Sequence, residues 1–112
     1  EAFARHVKKA LGCEAVEFPP GAGEIRRVGL CSGAGAFCAP APAQSGVQAF
    51  VTGEAKHHEL LAARQNGLTL VVAGHFHTEA VVLEPLCRKL AEAFPAVSFR
   101  VAASSAAPSR FV

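Results

Sequence analysis

Residues 68–73 (LTLVVA) form an unbroken uncharged run that stops at Gly74. The run lacks the apolar–polar alternation of a strand with one wet face, so it reads as a strand buried on both sides. Covering both faces takes layers of helix, and parallel neighbours need crossover connections, usually helical. This segment therefore commits the chain to an α/β layered domain, with a mainly parallel or mixed sheet flanked by helices.

The remaining pattern alternates accordingly. Phe3, Val7, Ala10 and Leu11 recur at helical spacing, and Gly12 stands where a C-terminal cap belongs. Residues 15–18 read as a short strand closed by Pro19-Pro20-Gly21, and Val28, Leu30 and Cys31 mark a second one that runs into Gly33 and Gly35. A short helix is expected over 36–44, weakened by Pro40 and Pro42 unless they sit in its first turn. Strand 47–51 leads to Thr52-Gly53. Helix 55–65 follows, with His58, Leu61 and Ala62 on one face and Asn66-Gly67 as its close. After the central run, Thr78 is placed to cap a helix over 79–94 whose buried stripe is Val82, Leu86 and Leu90. Pro95 precedes a last strand over 97–101, and 102–108 is expected to be irregular.

At 112 residues the chain suits a single domain, 1–112. A domain of that size buries roughly two-thirds of its unfolded surface and needs no staples. With 51% hydrophobic and 18% charged residues, disorder is excluded. Net charge is +2, and no basic cluster exceeds the pairs Lys8-Lys9 and Arg26-Arg27, so nucleic acid is not expected as the main partner. No apolar run approaches the roughly 18 residues of a membrane span, and the N-terminus lacks the order of a secretory signal. Cys13, Cys31, Cys38 and Cys87 show no CxxC spacing and read as reduced thiols, which points to a cytoplasmic setting. The chain contains neither Met nor Asp. Without an initiator it is expected to continue upstream, and any site that needs an aspartate is expected to be incomplete.

In open sheets of this kind, ligands sit beyond the carboxyl ends of the strands. Three loops fall there, at 32–35, 52–56 and 74–78, and four of the five histidines lie in or beside the last two. His75 and Glu79, four residues apart at a helix start, can face one point with an imidazole and a carboxylate, a pairing suited to zinc, iron or manganese. Two readings of the pair are open at this stage: metal ligands, or a helix-capping histidine with a glutamate that answers the helix dipole. His57 and His58 point about 100° apart on a helix, so at most one faces the same cleft. Glu54 is either a cap or a site carboxylate. His77 is an exposed loop histidine or a group near enough to orient a ligand. The stretch CSGAGA is a tight strand–helix turn rather than a phosphate cradle, since it has neither GxGxxG spacing nor a P-loop lysine.

Two families share the GHFHTE string behind a buried strand. The calcineurin-like metallophosphoesterases carry a GHxH loop but also need upstream aspartates, which this chain lacks. A second resemblance spans nearly the whole chain, through VGLCSGAGA, then GVQAFVTGEAKHHELLAARQNGLTLVVAGHFHTE, then PSRFV. In the order and spacing of these motifs the sequence is similar to the C-terminal half of the Nif-three-like dinuclear-metal proteins, the GTP cyclohydrolase 1 type 2 homologues.

That resemblance implies one half of a two-lobed fold with two divalent metals between the lobes. It implies His75 and Glu79 as metal ligands, because they match GHxxTE. Glu54, His57 and His58, from TGExxHH, are implied as groups lining the cleft. An adjacent histidine pair and a bridging aspartate would come from the N-terminal half, absent here. His57-His58 is not that pair. Pro42 departs from the family pattern in the helix after the glycine-rich loop. The resemblance also implies homo-oligomers. The function expected is a metal-binding half-domain for metal-assisted hydrolysis, of cyclohydrolase or phosphoesterase type, with His57, His58 or Glu54 as proton shuttles. The alternative is a non-catalytic, metal-dependent interaction or metal-handling module. Catalytic residues are not assigned.

Overall fold

The computed structural model describes residues 1–21 and 23–112. Three strands, β1 (Val28–Cys31), β2 (Ala49–Thr52) and β3 (Thr69–Val72), form a sheet in the order β1-β2-β3. Both pairings are parallel, with Val28 opposite Ala49 and Ala49 opposite Thr69. The expected strand at 15–18 is reduced to one antiparallel bridge, Glu17 with Val72. Pro19 and Pro20, which lack N–H donors, stop the pairing from extending.

Helix α1 (Ala2–Leu11) covers one sheet face and helix α3 (His57–Gln65) the other. The alternation of β3 explains how. Val71 packs with Ala4, Val7, Cys13 and Ala73 under α1, whereas Leu70 packs with Phe50, Ala63 and Leu68 under α3. Leu70 and Val71 are both 0% exposed, so the central run is buried on both faces as its composition requires. Gly12, at φ 67°, closes α1 as expected.

Elsewhere the structure corrects the sequence reading. The helix expected over 36–44 is a 3-10 turn (Ala36–Cys38) followed by one turn of α-helix, α2 (Pro42–Ser45). Pro40 between them cannot donate, and Pro42 occupies the first helical position, where no donor is needed. The helix expected over 79–94 is two: α4 (His75–Ala80) and α5 (Leu83–Ala93). A continuous helix would need a bond from residue 85 to residue 81, and Pro85 has no N–H to give. Thr78 therefore lies inside α4 and does not cap it. The apolar stripe of α5 is not buried: Val82 and Leu86 are exposed, and no residue of α5 is fully covered. Periodicity shows that an apolar face exists, not that the same chain covers it. Residues 97–101 pair with no strand among the described residues. No described helix is long and apolar enough to cross a membrane.

Candidate metal centre

All three strands end at one edge of the sheet, where their loops are tied through Gly33. Its carbonyl accepts from the Gly53 and Glu54 N–H groups at 2.9 and 3.0 Å and from the Thr52 hydroxyl at 3.2 Å. Its N–H donates to Thr78 Oγ1 at 3.1 Å. Thr78 is anchored in turn, with the His75 and Gly74 carbonyls 3.0 and 3.1 Å from its hydroxyl. Gly74 donates to the Gly53 carbonyl at 3.0 Å, and Gly35 to Thr52 Oγ1 at 3.0 Å. Thr52 is wholly buried, and its hydroxyl is engaged on both sides.

Glycine is required at this junction. Gly33 has φ 64°, and a methyl group there would lie 2.6 Å from Glu79 Oε1 and 3.3 Å from the His75 ring. The CSGAGA stretch is thus a tight turn, and it brings Gly33 against the His75–Glu79 pair.

His75 opens α4 directly after Gly74, and Glu79 follows one turn later on the same face. His75 Nε2 lies 3.2 Å from Glu79 Oε2, and His75 Nδ1 lies 2.9 Å from Glu54 Oε1. The three side chains are about half exposed, so the pair faces solvent-accessible space. The ring thus sets one nitrogen against each of two carboxylates, Glu54 at Nδ1 and Glu79 at Nε2. Across the 3.2 Å between Nε2 and the Glu79 carboxylate, either a proton on the ring or a bound cation satisfies both atoms. The spacing suits two ligands of one divalent ion, each roughly 2.0–2.2 Å from it. Glu54, on the other ring nitrogen at 2.9 Å, fixes the direction in which the imidazole presents Nε2.

The other candidates are not joined to this cluster. His57 and His58 begin α3, both exposed, and His57 lines a shallow groove with Phe18, Pro20, Leu61 and Arg64. His77 is half-buried and meets Phe76 edge-on, with ring centroids 5.5 Å apart. No hydrogen bond links these three histidines to His75, Glu79 or Glu54 among the described residues. Nor do three or more His, Cys, Asp or Glu side chains converge as a complete metal site among them. Sequence reasoning missed Gly33, Thr52 and Thr78 as the parts that hold the pair. The glycines at the ends of three successive strands were the available signal.

A parallel α/β sheet with a His/Glu pair at its carboxyl edge defines the class, and comparison with known proteins supplies the family. The family profile described as Duf34/NIF3 (NGG1p interacting factor 3) matches residues 1–109, and the chain belongs to that family. It is 36% identical over 92 residues to the GTP cyclohydrolase 1 type 2 homolog of Pseudomonas aeruginosa, covering 82% of this chain and 36% of that protein. A Treponema pallidum protein of the same name is 40% identical over 73 residues, covering 64% of this chain and 25% of that one. The crystal structure of Staphylococcus aureus hypothetical protein SA1388 superposes with a TM-score of 0.86 at 27% identity, over 99% of this chain and 38% of that one. The chain thus spans about a third of the length of the P. aeruginosa relative.

Proposed function

We propose that the chain contributes His75 and Glu79 to a divalent-metal centre, of zinc, iron or manganese type, in which the metal serves hydrolysis. The observation that carries this reading is the convergence of His75 Nε2 and Glu79 Oε2 at 3.2 Å, with the far ring nitrogen tied to Glu54. A bound divalent ion supplies Lewis acidity and lowers the pKa of bound water. The chain's own residues do the positioning. Glu54 fixes the ring and its tautomer, Thr78 and Gly33 fix the start of α4, and Gly53 admits it. Two ligands do not complete a site, so the remaining ligands of the dinuclear centre come from the rest of a longer protein or from other subunits. A homo-oligomeric assembly and a cytoplasmic setting belong to the same proposal, the latter supported by the four free cysteines. The name shared by the relatives makes ring-opening hydrolysis the first reaction to assay.

One observation favours the second reading, a metal-dependent interaction or metal-handling module without turnover. Glu54 is engaged with His75, and among the described residues neither His57 nor His58 is hydrogen-bonded to the pair, so none of these three is placed as a free proton shuttle. A longer form that hydrolyses nothing, but whose association follows metal occupancy, supports that reading. Metal-dependent turnover supports the first.

The role of Glu54 is testable here. Glu54→Gln keeps the size but lets the amide present either an oxygen or an NH2 group to Nδ1, so the ring orientation is no longer enforced. Zinc affinity measured by competition with a chromophoric chelator is expected to fall about 10–100-fold. Unchanged affinity sinks the orienting role.

A further inference from the structure

We infer that Cys31 and Cys38, the two ends of the CSGAGAFC turn, form a reversible disulfide on oxidation by a low-molecular-weight disulfide. Cys31 ends β1, and its sulfur lies so close under Gly35 that a methyl group there would meet Sγ at 2.6 Å. From Gly35 the chain makes one 3-10 turn, Cys38 N–H donating to the Gly35 carbonyl at 3.0 Å and Ala39 N–H to that of Ala36 at 2.9 Å. Positions three apart eclipse on a 3-10 turn, so Cys38 leaves the turn on the side of Gly35, against which the Cys31 sulfur rests, and both Cys31 and Ala39 pack on the Phe50, Ala63, Leu68 and Leu70 cluster. Both thiols are free, Cys38 exposed and Cys31 half-buried, so reagents reach the pair from the Cys38 side.

Desolvation, then the charge of the Cys31 sulfur and a hydrogen bond to it, hold the Cys38 thiol above its ordinary range. The other two cysteines are placed differently. Cys13 is buried, with its S–H on the Ala73 carbonyl at 3.2 Å, and Cys87 lies on α5.

The reaction balances as a two-step exchange. The thiolate of one cysteine attacks one sulfur of the small disulfide, forms a mixed disulfide and expels one thiolate. The other cysteine, after losing its proton, attacks the protein sulfur of that mixed disulfide and expels the second. The protein gives up two protons and two electrons, and the small disulfide leaves as two thiols. The new bond spans Gly33 and Gly35, whose N–H groups rest on Thr78 and Thr52. It therefore fixes the turn that packs against His75 and Glu79.

The test is incubation of the folded chain with oxidised glutathione, followed by intact mass and peptide mapping. The expected product has lost two hydrogens, retains no glutathione and links Cys31 to Cys38. Cys38→Ser, a change at an exposed position, is expected to hold one glutathione on Cys31 instead. Separate adducts on Cys31 and Cys38 in the unsubstituted chain, a link through Cys13 or Cys87, or no reaction would each overturn the inference. Hydrogen exchange reads the consequence: the Gly33 and Gly35 amides are expected to exchange more slowly after oxidation. Unchanged or faster exchange overturns the fixing of the turn.

Discussion

Gly53→Ala is expected to destabilise the fold by about 3 kcal/mol or more, the upper part of the range for forced overpacking. A methyl group at this position meets the Gly33 carbonyl oxygen at 2.7 Å, Thr78 Oγ1 at 2.7 Å and the His75 Cα at 2.8 Å. Two of these three are backbone atoms, and the third is a short side chain held by its own hydrogen bonds. None can give way without separating the loops that the Gly33 carbonyl joins. The φ of Gly53 is not positive, so the penalty is steric and not conformational. Gly12→Ala is the matching control. Gly12 has φ 67° but nothing within 4 Å of the added carbon, so only the left-handed backbone penalty of about 1–2 kcal/mol is expected. Urea unfolding followed by far-UV circular dichroism separates the two. Equal losses would mean that the crowding at Gly53 relaxes freely.

Leu70→Ala is expected to cost about 2–5 kcal/mol, a large share of the stability of a domain this size. Leu70 is 0% exposed and sits between the sheet and α3, against Phe50, Ala63 and Leu68. Removing it loses apolar burial and leaves a cavity that the rigid strand cannot close. Leu30→Ala on β1 removes the same atoms from a side chain that is 77% exposed, so a change within about 0.5 kcal/mol is expected. A Leu70 effect as small as that at Leu30 would contradict the layered core.

Both effects bear on what the sequence made legible. The LTLVVA run is readable because burial on both faces suppresses polar alternation, a property of the segment alone. The two helical layers follow from it. The start of α4 was misplaced because a threonine before a glutamate imitates a helix cap. In the folded chain Gly74, at φ 86°, turns the chain into the helix, and the Thr78 hydroxyl is used to hold Gly33. Pro85 carried the information that separates α4 from α5. The apolar residues of 97–101 look like a strand, but a strand needs a neighbour, and neighbours are not written in local pattern.

The candidate site divides in the same way. His75 and Glu79 are four residues apart on one helix, so their proximity follows from helical geometry. The Glu54 contact joins residues 21 apart and depends on the packing of Gly33, Gly53 and Thr78, which no spacing rule supplies. His57-His58 looks like a ligand pair in sequence, yet adjacency on a helix sends the two rings apart.

The most direct measurement is titration of this chain with zinc, iron(II) and manganese(II), alone and as His75→Ala and Glu79→Ala. Weak binding is expected, because this chain supplies two ligands, and both variants are expected to lose it. Binding that survives both substitutions would contradict that expectation and move the site to other residues.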